Sequence, residues 1–462
     1  MTVDYRISRD SLGEVRVPAS AYYGAQTERA RHNFPISGLR LPPRFIRAQG
    51  IIKRAAAIAN RDVGELDPDK AAAIIAAAEE VIDGKFNEHF VVDVYQAGAG
   101  TSQNMNANEV IANRACEIMG GERGDTSLVH PNDHVNMAQS TNDTIHVAMN
   151  IAAMEAITHD LLPNVLHFEE ELFKKARLWD PIIKSGRTHL QDAVPMRLGQ
   201  EFGGYANAVR MRREMLKQVS ERLLLIGLGG NAVGTGINAH PDYSEKAIAE
   251  VANFTGLPFR KPVDYFTFVQ NPDAAVEVSG QIRALATTVM KIANDIRLLS
   301  SGPRTGLAEV NLPVVQPGSS IMPGKVNPVL PEMMNMICYQ VFGCDMTVAS
   351  AGSASQLELN VMMPVMAYNL LHAIRILATG IRAFTDKCIV GMEANEERCL
   401  YYAEMSTSVA TALNPLIGYD RAAEIAKRAY AENQPVREIA RAEGIPEEQL
   451  ARYLNLREMT GK

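Results

Sequence analysis

The sequence predicts an all-α, mainly helical protein, and the first observation behind this prediction is one long helical pattern. Between Pro272 and Pro303 there is no other proline, and apolar residues recur at alternating spacings of four and three, as in a coiled-coil seam. The run Ser300-Ser301-Gly302-Pro303 then predicts the end of this helix. The seam residues are Val278, Ile282, Leu285, Val289, Ile292, Ile296 and Leu299.

The second observation is that similar patterns recur in residues 198–226, 147–172 and 330–348, with Pro163 predicting a kink in the pattern 147–172. The third is composition, since 47% apolar and 21% charged residues are typical of a globular protein. Helices this long cannot bury all their apolar stripes within one small bundle. We therefore expect a helical bundle formed between subunits, with a monomeric bundle as the alternative.

The length of the chain predicts more than one domain. Its 462 residues exceed the usual size of a single hydrophobic core. Shorter helical patterns precede the long ones, and short patterns separated by proline and glycine follow them. We expect an N-terminal helical domain at 1–142, a central long-helix bundle at 143–395 and a small C-terminal helical domain at 396–462.

Charge and cysteine content limit the partners of the protein and its compartment. A net charge of −7 offers no basic surface for a nucleic-acid backbone, so we expect a small-molecule partner. No apolar stretch is long enough to span a membrane, and the first residues lack the apolar core of a signal peptide. Five scattered cysteines without CxxC spacing predict reduced thiols and a cytoplasmic protein.

The stretch PGSSIMPGKVNP, residues 317–328, holds three prolines and two glycines, which exclude a regular helix or a central strand. It is not a phosphate-binding P-loop, because five residues separate its glycines and Val326 follows Lys325. The stretch therefore predicts a loop, mobile at Gly318 and Gly324, that carries hydroxyls and one lysine. An ordinary surface loop is the alternative.

Three further clusters, at 98–109, 139–143 and 186–195, are rich in hydroxyls and amides. The first two stand at predicted helix starts, which attract anions, although simple N-capping is an alternative there. With the loop, they supply hydroxyls, amides, one lysine and one histidine, a set suited to a small dicarboxylate. No Rossmann fingerprint is completed, and His130 and His134 lack a metal-site motif, so we expect acid–base chemistry with no organic cofactor and no metal.

These motifs resemble the aspartase/fumarase superfamily of lyases. GSSIMPGKVNP is similar to the signature loop of the superfamily, and the other clusters are similar to its remaining substrate-binding segments, in the same order. The resemblance covers nearly the whole chain, from AYYGAQTERA to ALNPLIGYDRAAEIAK. It implies a three-domain fold around a long central bundle, and a homotetramer in which three subunits build each active site.

The resemblance also implies roles for individual residues. Ser319 would be the general base that abstracts the Cβ proton of the substrate to leave an aci-carboxylate, under a loop that closes over the substrate. His189 and Asn142 would face the departing group, and Glu332 would orient His189 from another subunit. The α-carboxylate would be held by Thr188, Lys325 and Asn327, and the β-carboxylate by Thr101, Ser140, Thr141 and Ser320.

Small differences within the superfamily concern the departing group. Tyr22-Tyr23, Ala99 and Thr141 stand where fumarate hydratases of this type usually carry a tryptophan, a serine and another serine. These differences favour reversible deamination of L-aspartate to fumarate. A class II fumarate hydratase, which converts L-malate to fumarate and water, is the main alternative. A lyase for a substituted aspartate is a further alternative, because residues 144–146 and 360–364 depart from the usual pattern of the superfamily. A noncatalytic structural member of the superfamily is the last alternative.

Overall fold

The computed structural model describes residues 4–461 and confirms the predicted all-α class, with 63% of the protein in helices. The helices in this part of the chain are α1 (Ala25–Asn33), α2 (Pro43–Asp62), α3 (Pro68–Ile82), α4 (Thr101–Ile118), α5 (Thr141–Ala156), α6 (Leu162–Leu178), α7 (Leu198–Ser220), α8 (Tyr243–Thr255), α9 (Tyr265–Gln270), α10 (Asp273–Leu299), α11 (Val329–Gly352), α12 (Met363–Phe384), α13 (Glu396–Met405), α14 (Asn414–Ile417), α15 (Tyr419–Glu432), α16 (Val436–Ala442) and α17 (Glu447–Tyr453).

The predicted long patterns coincide with helices. The seam residues of α10 are all buried, and this helix ends at Leu299, directly before the predicted terminator. The patterns 198–226 and 330–348 fall mainly on α7 and α11. The pattern 147–172 falls on α5 and α6, which are joined by a wider helical turn at Ile157–Leu161. Pro163 lacks an N–H and crowds the preceding turn, so the helix is irregular where a kink was predicted.

Strands are also present, although the sequence interpretation placed none. The start of the chain was expected to be helical with a turn at Asp10 to Gly13. The turn exists, but it joins two strands whose side chains alternate between more and less exposed positions. Across residues 4–461, three antiparallel pairs form: β1 (Tyr5–Asp10) with β2 (Gly13–Pro18), β3 (Ile183–Thr188) with β4 (Gln191–Arg197), and β5 (Val310–Asn311) with β6 (Glu393–Ala394).

The chain forms two compact units, each built from separate parts of the sequence. The first unit has a core between α3 and α4 that includes Ile74 and Ile111, and the second has a core at its C-terminal helices that includes Leu413 and Leu450. The predicted boundaries after residues 142 and 395 stay a prediction. The first unit comprises the chain up to Pro163, Glu214–Ala286 and Tyr339–Ala378, and the second Asn164–Arg213, Thr287–Cys338 and the chain from Thr379 onward.

Two features bear on the expected environment of the protein. All five cysteines are buried free thiols. Along residues 4–461, no helix combines the length and the apolar character needed to cross a lipid bilayer.

Candidate active site

The stretch 318–328 is a loop, as predicted, and it folds back on itself. The N–H of Gly318 donates to the carbonyl of Lys325 at 2.9 Å, and Asn327 Nδ2 donates to the carbonyl of Gly318 at 2.7 Å. This close approach requires a glycine, because a Cβ on Gly318 would lie 2.4 Å from the Lys325 carbonyl oxygen. Gly324 has a φ of 79°, which glycine adopts without strain. Both glycines are thus explained by the backbone of the loop.

Ser319 lies within this loop, and its hydroxyl oxygen faces two backbone donors. The N–H groups of Ile321 and Met322 donate to Ser319 Oγ at 3.2 Å and 3.0 Å. Hydrogen bonds to an oxygen favour its charged form, so this arrangement stabilises a serine alkoxide. The geometry suits the predicted general base, whose role stays a prediction.

A cavity of about 450 Å³ opens beside the second half of the loop. Lys325 and Asn327 line it, together with Arg297, Ser300 and Ser301 from the end of α10 and the turn that follows. Two cations near hydroxyl and amide groups form a site that favours a carboxylate. The predicted α-carboxylate ligands on the loop therefore lie where a small anion has space to bind.

His189 lies at the exposed tip of the hairpin formed by β3 and β4, where a turn-rich connection without strands was expected. Thr188 pairs with Gln191, so His189 and Leu190 form a two-residue turn with φ angles of 56° and 59°. Left-handed backbone at non-glycine residues costs about 1 kcal/mol or more per residue and occurs often at functional sites. The hairpin presents Thr188 and His189 on its outer end.

Buried ion pairs anchor the hairpin. Glu309 is fully buried, and its carboxylate contacts Lys184 Nζ and Arg187 Nη1 of β3, each at 2.9 Å. Lys184 also contacts Glu201 of α7 at 2.6 Å. Removing one partner of a buried ion pair is strongly destabilising. These contacts therefore hold β3, which leads into Thr188 and His189, in place.

The cluster 139–143 begins α5. Ser140 Oγ accepts the N–H of Asn142 at 3.2 Å, and Asp143 Oδ1 accepts the N–H of Ser140 at 2.9 Å, which together form a capping box. N-capping is therefore confirmed for Ser140. Thr101 differs, because the N-cap of α4 is Gly100 and Thr101 is the exposed first residue of that helix. Capping does not account for Thr101.

An asparagine network, which the sequence did not predict, holds Thr141. Asn104 and Asn108 lie one turn apart on α4, and the Nδ2 groups of both donate to Asn136 Oδ1 at 3.1 Å. Asn104 Nδ2 also donates to Thr141 Oγ1 at 3.2 Å. Two of the three alternate asparagines in the first cluster thus converge on a residue far along the chain, while Asn106 donates to the carbonyl of His89.

Asn142 and Asp143 contact a second segment, residues 229–232, which was not predicted as part of the site. Asp143 accepts the N–H groups of Gly229 and Asn231 at 3.0 Å and 2.8 Å, and Asn142 Nδ2 donates to the Ala232 carbonyl at 2.8 Å. Burial raises the pKa of the Asp143 carboxyl to about 6, although its backbone hydrogen bonds act in the opposite direction. These contacts fix Asn142 at the start of α5.

The remaining predicted residues are Ser320, exposed in the loop, and Glu332, in the first turn of α11. Between residues 4 and 461 of one chain, no hydrogen bond joins Glu332 to His189, so a contact from another subunit stays a prediction. Over the same residues, no three histidine, cysteine, aspartate or glutamate side chains form a group that could hold a metal ion.

Comparison with known proteins gives two family matches. A family model described as a lyase matches residues 13–343, and a model described as the fumarase C C-terminus matches residues 409–461. The chain is 49% identical over 461 residues to an aspartate ammonia-lyase from Bacillus sp, covering 100% of this chain and 98% of that protein. It is 48% identical over 463 residues to a class II fumarate hydratase from Thermosynechococcus vestitus, covering 100% and 99%.

Solved structures are also similar to the protein over nearly the full chain. The cobalt-bound fumarate lyase:delta crystallin from Brucella melitensis has a TM-score of 0.96 and 46% identity, covering 99% of this chain and 100% of that chain. The class II fumarase from Schistosoma mansoni has a TM-score of 0.95 and 36% identity, covering 99% of each.

Proposed function

Because the chain belongs to the aspartase/fumarase superfamily of lyases, we propose that it catalyses the reversible deamination of L-aspartate to fumarate and ammonia. The observation that carries the choice of substrate is the hydrogen bond from Asn104 Nδ2 to Thr141 Oγ1. Hydroxyl and methyl share one carbon in threonine, so holding the oxygen also fixes the methyl. We infer that this methyl narrows the space for the departing group beside Asn142, relative to a serine at position 141.

The proposed reaction begins with proton abstraction by Ser319. Its alkoxide, stabilised by the N–H groups of Ile321 and Met322, takes the Cβ proton of aspartate and leaves an aci-carboxylate. Charge grows on the β-carboxylate at this step, so hydroxyl donors there act mainly on the transition state. These donors are Thr101, Ser140, Thr141 and Ser320.

The other end of the substrate is held by cationic and amide groups. Lys325 and Asn327 bind the α-carboxylate from the cavity beside the loop, with Thr188 as the third donor. His189 and Asn142 face the departing amine. A protonated amine leaves as neutral ammonia and needs no separate acid, so His189 acts mainly by position.

The proposed enzyme is a cytoplasmic homotetramer in which three subunits supply each active site, with Glu332 orienting His189 of another subunit. Exposed apolar residues along α11 support this assembly, because Met336, Tyr339 and Met346 leave 65%, 62% and 69% of their surfaces exposed in the single chain. Light scattering should give the mass of four chains. A fully active monomer would refute the shared site.

Class II fumarate hydratase is the second candidate. It is supported by relatives of that name at 48% identity in Thermosynechococcus vestitus and 50% in Halobacterium salinarum, each matched over nearly its full length. The base, the loop and the aci-carboxylate are the same in both proposals. Only the departing group differs, so the two functions are separated by substrate alone.

The test is the ultraviolet absorbance of fumarate with L-aspartate and L-malate offered separately. We expect kcat/KM to be at least about 10²-fold higher for aspartate, the discrimination that a few kcal/mol of transition-state binding provides. Comparable values, or fumarate from malate alone, would assign the protein as a fumarate hydratase.

A further inference from the structure

Lys53 of α2 is a buried lysine whose contacts differ from those of an ordinary ion pair. It is 1% exposed, and its ammonium donates to Asn136 Oδ1 at 3.0 Å and to Gln139 Oε1 at 2.9 Å. Within the described residues, no carboxylate lies at ion-pair distance from Lys53. Burying a cation among neutral partners costs free energy of folding. A residue kept in such an environment is a candidate for a functional role.

The partners of Lys53 lead directly to a predicted substrate ligand. Asn136 Oδ1 accepts from Lys53 Nζ and also from Asn104 Nδ2, which in turn donates to Thr141 Oγ1. The Lys53 contact helps to keep the oxygen of Asn136 turned toward Asn104. Because Asn104 donates a hydrogen bond to the Thr141 oxygen, this oxygen acts as an acceptor toward Asn104. The hydroxyl proton of Thr141 is therefore available for donation to another acceptor.

One charged group acts on this lysine. Among the titratable groups on helices packed against α2 in residues 4–461, Asp143 of α5 is the one that favours the charged form of Lys53. Tyr243 of α8 interacts with Asp143, and its own pKa is raised far above the usual range by burial. Burial nonetheless lowers the pKa of Lys53 to about 7, so its charge changes near neutral pH.

We propose that Lys53 is a positioning residue for the substrate carboxylate that gains negative charge during proton abstraction, acting through Asn136 and Asn104 on the Thr141 hydroxyl. The inference rests on the proposed role of Thr141 in the lyase reaction, and it holds for aspartate and malate alike. Lys53 places a positive charge behind this carboxylate in a low-dielectric region, where its effect is larger than in water. Binding of the dicarboxylate in turn favours the protonated form of Lys53.

This linkage gives a test that does not depend on turnover. The probe is succinate, a dicarboxylate with no leaving group. Its binding to the enzyme is measured by titration calorimetry at about pH 8 in buffers of different ionisation enthalpy. The dependence of the binding enthalpy on the buffer gives the number of protons taken up on binding. We expect the wild type to take up on the order of half a proton per site. Lys53→Met should lose most of this uptake, bind succinate about tenfold more weakly and lower kcat about 10²-fold.

Two further variants make the result specific. Lys175→Met removes another buried lysine, whose partners are the carbonyls of Val390 and Met392, and it should keep the wild-type uptake. Lys53→Arg carries a permanent charge, so it should bind succinate without taking up protons. If Lys53→Met does not fold, Lys53→Arg alone tests the proposal. Wild-type uptake in the folded Lys53 variants would overturn the proposal. Failure of the wild type to form fumarate from either substrate would instead refute the proposed function.

Discussion

The hydroxyl oxygen of Ser319 accepts a hydrogen bond of 3.0 Å from the backbone N–H of Met322. A second N–H, from Ile321, reaches the same oxygen at 3.2 Å. Serine is a weak base unless its alkoxide is stabilised, and two aligned donors stabilise negative charge on this oxygen. The fold of the loop and the proposed chemistry therefore depend on the same backbone.

Ser319→Ala should lower kcat by about 10²- to 10⁴-fold, because it removes the proposed base while leaving the backbone of the loop able to fold. Steady-state kinetics measures the loss, and light scattering checks that the oligomer is retained. Ser353→Ala, which removes a hydroxyl bonded to the Ser350 carbonyl in α11, should keep full activity. If Ser319→Ala retains a tenth of wild-type activity, the base lies elsewhere, and His189 is the next candidate.

Gly318→Ala should separate the two ends of the loop, since the added Cβ would lie 2.4 Å from the Lys325 carbonyl oxygen and 2.8 Å from the Asn327 nitrogen. We expect kcat/KM to fall about 10²-fold with little change in melting temperature, because a displaced catalytic group reacts far more slowly. Gly324→Ala meets no neighbouring atom but has an unfavourable φ, so its loss should be smaller. Equal losses would show that crowding at Gly318 is not the cause.

Thr141→Ser keeps the hydroxyl that Asn104 holds and removes only the methyl. If this methyl narrows the pocket, the ratio of kcat/KM for L-malate to that for L-aspartate should rise roughly tenfold, the usual effect of one methyl in a pocket. Thr144→Ser makes the same change at a buried residue bonded to the Ser140 carbonyl and should leave the ratio unchanged. An unchanged ratio in Thr141→Ser would remove this support for aspartate.

Asp143→Asn tests the buried carboxyl. The folded-state pKa of about 6 lies above the ordinary value of 3.8, so folding favours the protonated acid. This contribution to stability is present below about pH 4 and is lost as the pH rises through about 6. The free energy of unfolding of wild type relative to Asp143→Asn should therefore fall by roughly 3 kcal/mol over this window.

Denaturant unfolding at several pH values measures the change. Exposed Asp69→Asn serves as the control and should follow the wild type. A wild-type advantage over Asp143→Asn that grows with pH between about 4 and 6 would contradict the raised pKa.

The helices and the loop could be predicted because their causes are local. The proline-free seam of α10, its terminator and the glycines of 318–328 each act on the backbone within a few residues. The network of Lys53, Asn104 and Asn136 could not be predicted, because it depends on packing between segments far apart in the chain. The signal in the sequence that pointed to this network was the run of alternate asparagines at the start of α4.

The hairpin of β3 and β4 was missed for a different reason. Two-residue turns with positive φ are usually marked by asparagine or glycine, and this one uses His189 and Leu190 instead. A position that breaks the local rule is typical of functional sites. Because the turn lacks asparagine and glycine, the sequence did not predict the two strands that it joins. The unusual turn residues agree with the role proposed for His189.

The most direct measurement runs the reaction backward. Fumarate and ammonium are incubated with the enzyme in deuterated water, and the products are followed by proton NMR. The proposal predicts L-aspartate carrying one deuterium at Cβ, in a single stereochemical position, formed well before any malate. Accumulation of deuterated malate without aspartate would contradict it.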